Sequence, residues 1–200
     1  MKTQQSPTAP KRTLRKDLAM FGNVRVLTAA ALLAAMSLIL GKFLQIPNPL
    51  SDIFRISFEN LPVIFAGFCF GPVVGGTVGA VADIVGCLLY GYTINPIITL
   101  GAAAVGIVSG IMANYIVKRP RWLSIAAATF AAHAVGSVVV KSLGLAAWYL
   151  SSYNMGLVEL MLWRALLYAV IGTAEFLLIY LLTSHRAVAG IIERLRTLRS

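Results

Sequence analysis

PIITLGAAAVGIVSGIMANYIVKRPR, residues 96–121, decides the fold. From Pro96 to Val117 no side chain carries a charge, and then Lys118, Arg119 and Arg121 arrive together. At ~1.5 Å per residue this apolar run spans about 33 Å as a helix, enough to cross a hydrocarbon core of about 30 Å. A cluster of cations at its end marks the cytoplasmic side, because Lys and Arg resist translocation and meet anionic headgroups.

Five more segments follow on either side of this one. Towards the C-terminus come Trp122–Leu150 and Leu157–Thr183. The first of these is longer than a straight crossing needs and is interrupted by Lys141, so it is expected to tilt or to break near Gly144. Towards the N-terminus come Val73–Tyr90, the short Ile56–Phe70 ended by Gly71-Pro72, and Val24–Ile46 closed by Pro47 and Pro49. The prediction is an all-α integral membrane bundle of six transmembrane helices with both termini cytoplasmic. The basic residues agree independently of that count. Of the seventeen, six lie in the first 25 residues, three in 118–121 and four in 186–199. An even number of crossings puts all three groups on one side. The chain then divides into a polar, basic leader (1–22), a six-helix domain (23–184) and a basic amphipathic tail (185–200). In the tail Val188, Ile191, Ile192, Leu195 and Leu198 recur at helical spacing, as Leu14, Leu18 and Phe21 do in the leader; both stretches are expected to lie on the inner leaflet.

Composition supports lipid as the main solvent. The chain is 58% hydrophobic and 12% charged, with a mean hydropathy of +0.82; soluble domains carry about 25% charged residues. The net charge of +10 does not indicate nucleic-acid binding, because its cations sit at span ends and are not interleaved with aromatics on one face. Cys69 and Cys87 lie inside apolar segments without a CxxC, which predicts neither a disulfide nor a metal site. No cleavable signal peptide is expected, since the first apolar run is long and sits behind a polar leader.

The remaining polar residues sort by depth. At the outer ends stand Lys42, Arg55, Glu59 and Asn60, then Tyr90, Tyr92, Thr93 and Asn95. Lys141, Trp148, Tyr149, Tyr153, Asn154, Glu159, Trp163 and Arg164 follow. Charge within a span must pair or line a wet cavity. Mixed with aromatics, these residues predict a cavity open to the outside, suited to a ligand with a flat ring and an anionic end. The bland reading stands beside it: Trp and Tyr form interfacial belts in any membrane protein, Lys42 can snorkel, and Arg55 can pair with Glu59 at i, i+4. Lys141 and Arg164 lie deeper and are the stronger ligand candidates. Lys141, Leu145 and Trp148 share one helical face, as do Leu160, Arg164 and Tyr168.

Catalysis is not expected. Asp83 reads as a hydrogen bond to a neighbouring helix, with a proton relay as the alternative. His133 and Ser137 form a base and nucleophile on one turn with no third group in view. There is no HExxH, paired-carboxylate or metal-ligand spacing, and no cofactor is implied. No GxxxxGK[ST] occurs, so ATP-driven transport requires another subunit. Small residues four apart (Ala30/Ala34, Ala31/Ala35, Gly75/Gly79, Gly106/Gly110) predict close helix contacts, with the alanines of the first span as a second candidate, a partner-docking face.

The block Arg55-Ile-Ser-Phe-Glu-Asn-Leu-Pro62, with Ala66-Gly67, Phe70-Gly71-Pro72-Val73-Val74-Gly75-Gly76 and Val78-Gly79-Ala80-Val81-Ala82-Asp83-Ile84-Val85-Gly86, resembles the S components of energy-coupling factor (ECF) vitamin transporters, especially the folate family. The resemblance implies a membrane-embedded subunit that binds its vitamin from outside. It then docks on one transmembrane subunit and two ATPases, topples, and releases the ligand inward. It also implies that Ala30, Ala31, Ala34 and Ala35 contact the transmembrane partner and that the loop Pro47–Arg55 acts as a lid. The ligand site expected from the depth and helical faces of the polar residues is Arg55, Glu59, Asn60, Tyr90, Tyr92, Asn95, Lys141, Trp148 and Arg164. A pteridine would stack on the aromatics, and its glutamate carboxylates would pair with Arg55, Lys141 or Arg164. In one place the sequence departs from the family. Many folate-family members carry Phe-Pro-Gly-Phe-Thr before the fourth helix, where Thr93-Ile-Asn-Pro-Ile-Ile-Thr99 keeps a Pro and a Thr but loses both Phe residues and the Gly. Pantothenate or another small vitamin is therefore the alternative ligand, and a stand-alone secondary transporter the alternative mechanism.

Overall fold

The computed structural model describes residues 20–44, 46–47, 55–117, 120–153, 156–185 and 190. The expected amphipathic stretches of leader and tail lie outside the described residues but for Met20, Phe21 and Gly190, and the expected lid lies outside them between 48 and 54.

Among the described residues, six helices follow a short 3-10 turn at Met20–Gly22. Helix α1, Val24–Phe43, starts where the Asn23 side chain accepts from the Arg25 N–H, which satisfies an amide that would otherwise lack a partner. A two-residue ribbon follows, β1 (Ile46–Pro47) antiparallel to β2 (Arg55–Ile56), with Ile46 opposite Ile56. It accounts for a boundary that sequence placed differently: the second apolar segment begins as strand, and its helix, α2, covers only Asn60–Phe70. Gly71, at φ +103°, breaks the chain between α2 and α3, Pro72–Tyr90. That backbone angle favours glycine, and Pro72 suits the first turn of the next helix. Gly91, at φ +70°, ends α3. Helix α4, Pro96–Ile116, is α-wound to Ile111 and π-wound over Met112–Ile116. Helix α5 runs from 121 to 153 without the expected break at Gly144; instead its winding changes from α to π over His133–Val140 and back. Helix α6 is Leu157–Ser184.

Five of these helices are long and apolar enough to cross a bilayer. The eleven residues of α2 rise only about 16 Å. It survives at that length because it is a core element: every residue but Phe65 is buried, so its neighbours rather than lipid surround its ends.

Close packing of α2, α3 and α4 builds the centre. A Cβ placed on Gly106 would overlap the Gly75 carbonyl, and one on Gly79 the Ala102 carbonyl. The small-residue spacing of Gly75/Gly79 and Gly106/Gly110 is thus realised as backbone-to-backbone contact within the bundle. Asn114 Nδ2 donates to the Gly67 and Gly110 carbonyls at 3.1 and 2.7 Å, pinning α4 to α2. The outward faces are apolar, with Leu27, Leu32 and Ile39 exposed on α1 and Leu162, Leu166 and Leu181 on α6, as lipid contact requires. Arg121 donates to the Thr183 carbonyl, so the start of α5 lies against the end of α6.

Candidate functional site

One end of the bundle, where α1, α2, α3 and α5 converge, encloses a cavity of about 120 Å³. Its polar lining is Glu59, Asn60, Asp83, Tyr90, Tyr92 and Lys141, with Cys87 beside them. Glu59 precedes α2 in a turn fixed by Ser37, whose hydroxyl donates to the Glu59 carbonyl at 2.6 Å. Gly41 admits this turn, since a Cβ there would press on the Glu59 side chain at 3.3 Å. Lys141 reaches in from α5, where Gly101 of α4 leaves room for its stem, and Nζ donates to Glu59 Oε1 at 3.1 Å. The Lys141 side chain is nearly enclosed while that of Glu59 is 39% exposed, so Glu59 forms the wetter half of the pair.

Asp83 supplies a second carboxylate from α3 and accepts from the Thr99 hydroxyl of α4 at 2.6 Å. The expected hydrogen bond to a neighbouring helix is therefore present, and the same side chain also lines the cavity. Asn60 is buried, and its Nδ2 lacks a hydrogen-bond partner. A buried amide donor left unpaired is costly, about 1–3 kcal/mol, and this one stands on the cavity wall. At the rim the Tyr90 hydroxyl donates to the Leu38 carbonyl at 3.0 Å, Lys42 Nζ lies 4.9 Å from the centre of the Tyr90 ring, and Tyr92 meets Tyr90 edge-on at 6.3 Å. With both carboxylates and the ammonium in their usual forms the lining carries one net negative charge.

Other expected ligand residues lie elsewhere. Arg164 is buried but absent from the cavity lining; Nε and Nη2 both donate to the Ser137 carbonyl, at 3.1 and 2.8 Å, and its guanidinium lies 5.2 Å from the Tyr168 ring centre. Asn95 caps α4, accepting from the Ile97 and Ile98 amides, and its Nδ2 bridges to the Gly144 carbonyl at 3.0 Å. Each of its side-chain groups is engaged in structure. Trp148 is half exposed and off the lining. Arg55 lies in β2, and its side chain lies outside the described residues. Among the described residues the cavity thus holds a paired cation, Lys141, and a second carboxylate, Asp83. Asp83 and Cys87 are the members that sequence reasoning left out. Gly79, Asp83, Gly86 and Tyr90 recur at i, i+4, i+7 and i+11, a single helical face that could have revealed them.

The family model for the substrate-specific component of ECF transporters matches residues 25–184. The chain belongs to this family. A multi-pass membrane location comes with that membership, as does a substrate-binding role in a transporter and not that of an enzyme. Among curated proteins, this S component is 34% identical over 67 residues to "Folate transporter FolT" of Clostridium novyi (strain NT), and 38% identical over 71 residues to "Uncharacterized protein MG313 homolog" of Mycoplasma pneumoniae. These matches take in 34% and 36% of this chain. The chain spans only 37% and 24% of the length of these two relatives. Among solved structures, "Crystal structure of FolT bound with folic acid" superposes with a TM-score of 0.58 at 24% identity, over 79% of this chain and 92% of that one, a likeness of fold.

Two further features of the S component differ from expectation. Of the four alanines expected to meet a partner, Ala34 is buried and Ala30 packs against the core, whereas Ala31 and Ala35 face outward. His133 and Ser137 do have a third group: His133 Nε2 lies 2.6 Å from Glu175 Oε2 and Nδ1 lies 3.2 Å from Ser137 Oγ. Glu175 stands out in the sequence as a deep polar residue, as His133 does, but 42 residues separate the two and their pairing was not legible. The three have triad connectivity, yet all are buried and none lines the cavity.

Proposed function

We propose that this S component captures a folate-type vitamin from outside the cell, ring end first, and passes it to a separate module of one transmembrane subunit and two ATPases. In this reading the bundle makes six crossings, with α2 sheltered among its neighbours, and both termini are cytoplasmic. The placement of Arg121 against the end of α6 supports a common side for the basic clusters. The FolT relatives named above support the vitamin class.

The observation that carries the ligand reading is the pairing of Asp83 with the unpartnered Asn60 amide across one cavity. A pterin ring offers adjacent N–H donors that a carboxylate can accept as a pair, and a ring carbonyl that an amide N–H can meet. Tyr90 and Tyr92 supply flat apolar surface at the rim. A cavity of about 120 Å³ is smaller than the ~300–1,000 Å³ of sites for whole drug-sized ligands, so only the ring end enters. The acidic tail stays at the mouth, near Lys42. This reverses the orientation that the sequence suggested, in which the tail carboxylates met Arg55, Lys141 or Arg164.

Cys87 provides the test. Folate should protect Cys87 from a small maleimide in the purified protein, while Cys69 is buried and slow to react. Asp83→Asn should weaken folate binding roughly tenfold or more, the discrimination expected when a charged hydrogen-bond partner is lost. Pantothenate has no paired N–H edge. If pantothenate protects Cys87, folate does not, and Asp83→Asn changes nothing, the folate reading is wrong and the alternative vitamin stands.

A further inference from the structure

Arg164 does not line the cavity, but it contacts the one carbonyl whose use decides how Lys141 is aimed. In an α-helix the Lys141 N–H would bond to the Ser137 carbonyl, four residues back. Here it bonds to the Gly136 carbonyl, five residues back. The Ser137 carbonyl is instead taken by two N–H groups of Arg164 from α6. Ser137 is fully buried and its hydroxyl meets His133 Nδ1 at 3.2 Å, so its carbonyl and its hydroxyl are both taken by side chains. The other π-wound stretch repeats the arrangement. There the Val117 N–H bonds five back, to Met112, and the Ala113 carbonyl it passes over accepts from the Ser124 hydroxyl of α5 at 3.5 Å. π-winding is rare and arises where something holds one extra residue in the turn.

We propose that Arg164 is a positioning residue: by occupying the Ser137 carbonyl it keeps 133–140 π-wound and so turns Lys141 into the cavity against Glu59. Without that contact the segment relaxes to α-winding, and every residue after it rotates about its axis by roughly one residue, about 100°. Val140 then takes the direction that Lys141 held. The relevance to ligand capture rests on Lys141 belonging to the vitamin site, but the geometric claim does not.

The test needs no vitamin, so its failure is separable from failure of the folate reading. In a Cys87→Ser background, Lys141→Cys should react with a cationic methanethiosulfonate through the cavity, and Val140→Cys should be slow. Adding Arg164→Met should exchange the two, each rate changing by roughly tenfold. Arg164→Gln should preserve the original pattern, because the glutamine amide nitrogen occupies the place of Arg Nε, 3.1 Å from the Ser137 carbonyl. An unchanged pattern with Arg164→Met overturns the proposal, and so does a Gln variant that behaves like Met. Should Arg164→Met fail to fold, deleting the outward-facing Val139 in the same chain decides. Removing the extra residue permits α-winding with Lys141 still aimed inward, so folded protein with a reactive position 141 supports the proposal. Protein that remains unfolded counts against it.

Discussion

The two halves of the bundle are held together by opposite means. Helices α2, α3 and α4 meet through glycines, backbone against backbone. Helices α5 and α6 meet through buried polar groups: His133 with Glu175 and with the Tyr168 ring, and Arg164 with the Ser137 carbonyl. In lipid, burial from water does not drive helices together, so close contact and hydrogen bonding remain. Each half relies mainly on one of them. Where the glycines meet, the first half cannot adjust, because those contacts are made by atoms that no rotamer can move; α4 changes its winding beyond them, over Met112–Ile116. The polar half can adjust, because side-chain donors stand in for ladder bonds and the winding varies with them. The cavity lies between a fixed wall, carrying Asp83, and an adjustable one, carrying Lys141.

The strongest way to break this comparison is at Gly106. A branched side chain there would enter the Gly75 carbonyl and the Gly76 amide, neither of which can yield. Gly106→Val should destabilise by about 3 kcal/mol or more and leave little monodisperse protein after detergent extraction. If the variant purified normally with an unshifted Tm, the fixed wall would be a fiction.

The polar half should behave differently, since its damage can be repaired. His133→Leu leaves the fully buried Glu175 carboxylate without its partner, and breaking a buried pair from one side costs about 3–5 kcal/mol. His133→Leu with Glu175→Leu removes both polar groups and should recover most of the loss, as well-packed apolar replacements of buried pairs often do. Thermal melts of the wild type, the single and the double variant would sharpen the contrast. A double variant no more stable than the single would show that this half is as unforgiving as the other.

The same contrast explains what was legible in the sequence. Depth was readable: apolar runs ended by Pro, Gly or cations placed five long helices, and polar residues near the outer ends included Glu59, Asn60, Tyr90, Tyr92 and Lys141, all on the cavity. Azimuth was not. When every face of a helix is apolar, periodicity cannot tell which side looks inward. Which way Arg164, Asn95 and Asp83 face was therefore open: the Arg164 guanidinium meets the Ser137 carbonyl, Asn95 caps α4, and Asp83 lines the cavity. The π-wound stretch was also hidden, because its cause is a side chain on another helix, and local sequence carries no sign of it. The start of α2 was misplaced for a similar reason: Arg55–Ile56 pairs with Ile46–Pro47, a two-residue ribbon without the alternation that identifies a strand.

The smallest effect is expected on the outer surface of α1, and its selectivity is what makes it informative. Ala31 and Ala35 point outward while Ala34 is buried at 6% exposure and Ala30 packs inward, so the two small-residue pairs have different tasks. Ala34→Leu should lower the Tm, because it forces three extra carbons into a filled core. Ala31→Leu with Ala35→Leu adds apolar bulk where lipid already lies, so Tm and vitamin affinity should stay within about 0.5 kcal/mol of wild type. If this face receives the transmembrane subunit, the bulk blocks close backbone approach, and recovery of the energising module with the tagged S component should fall several-fold. Full recovery of the module with both leucines in place would move the docking surface off this face of α1 and leave Ala31 and Ala35 as ordinary lipid-facing residues.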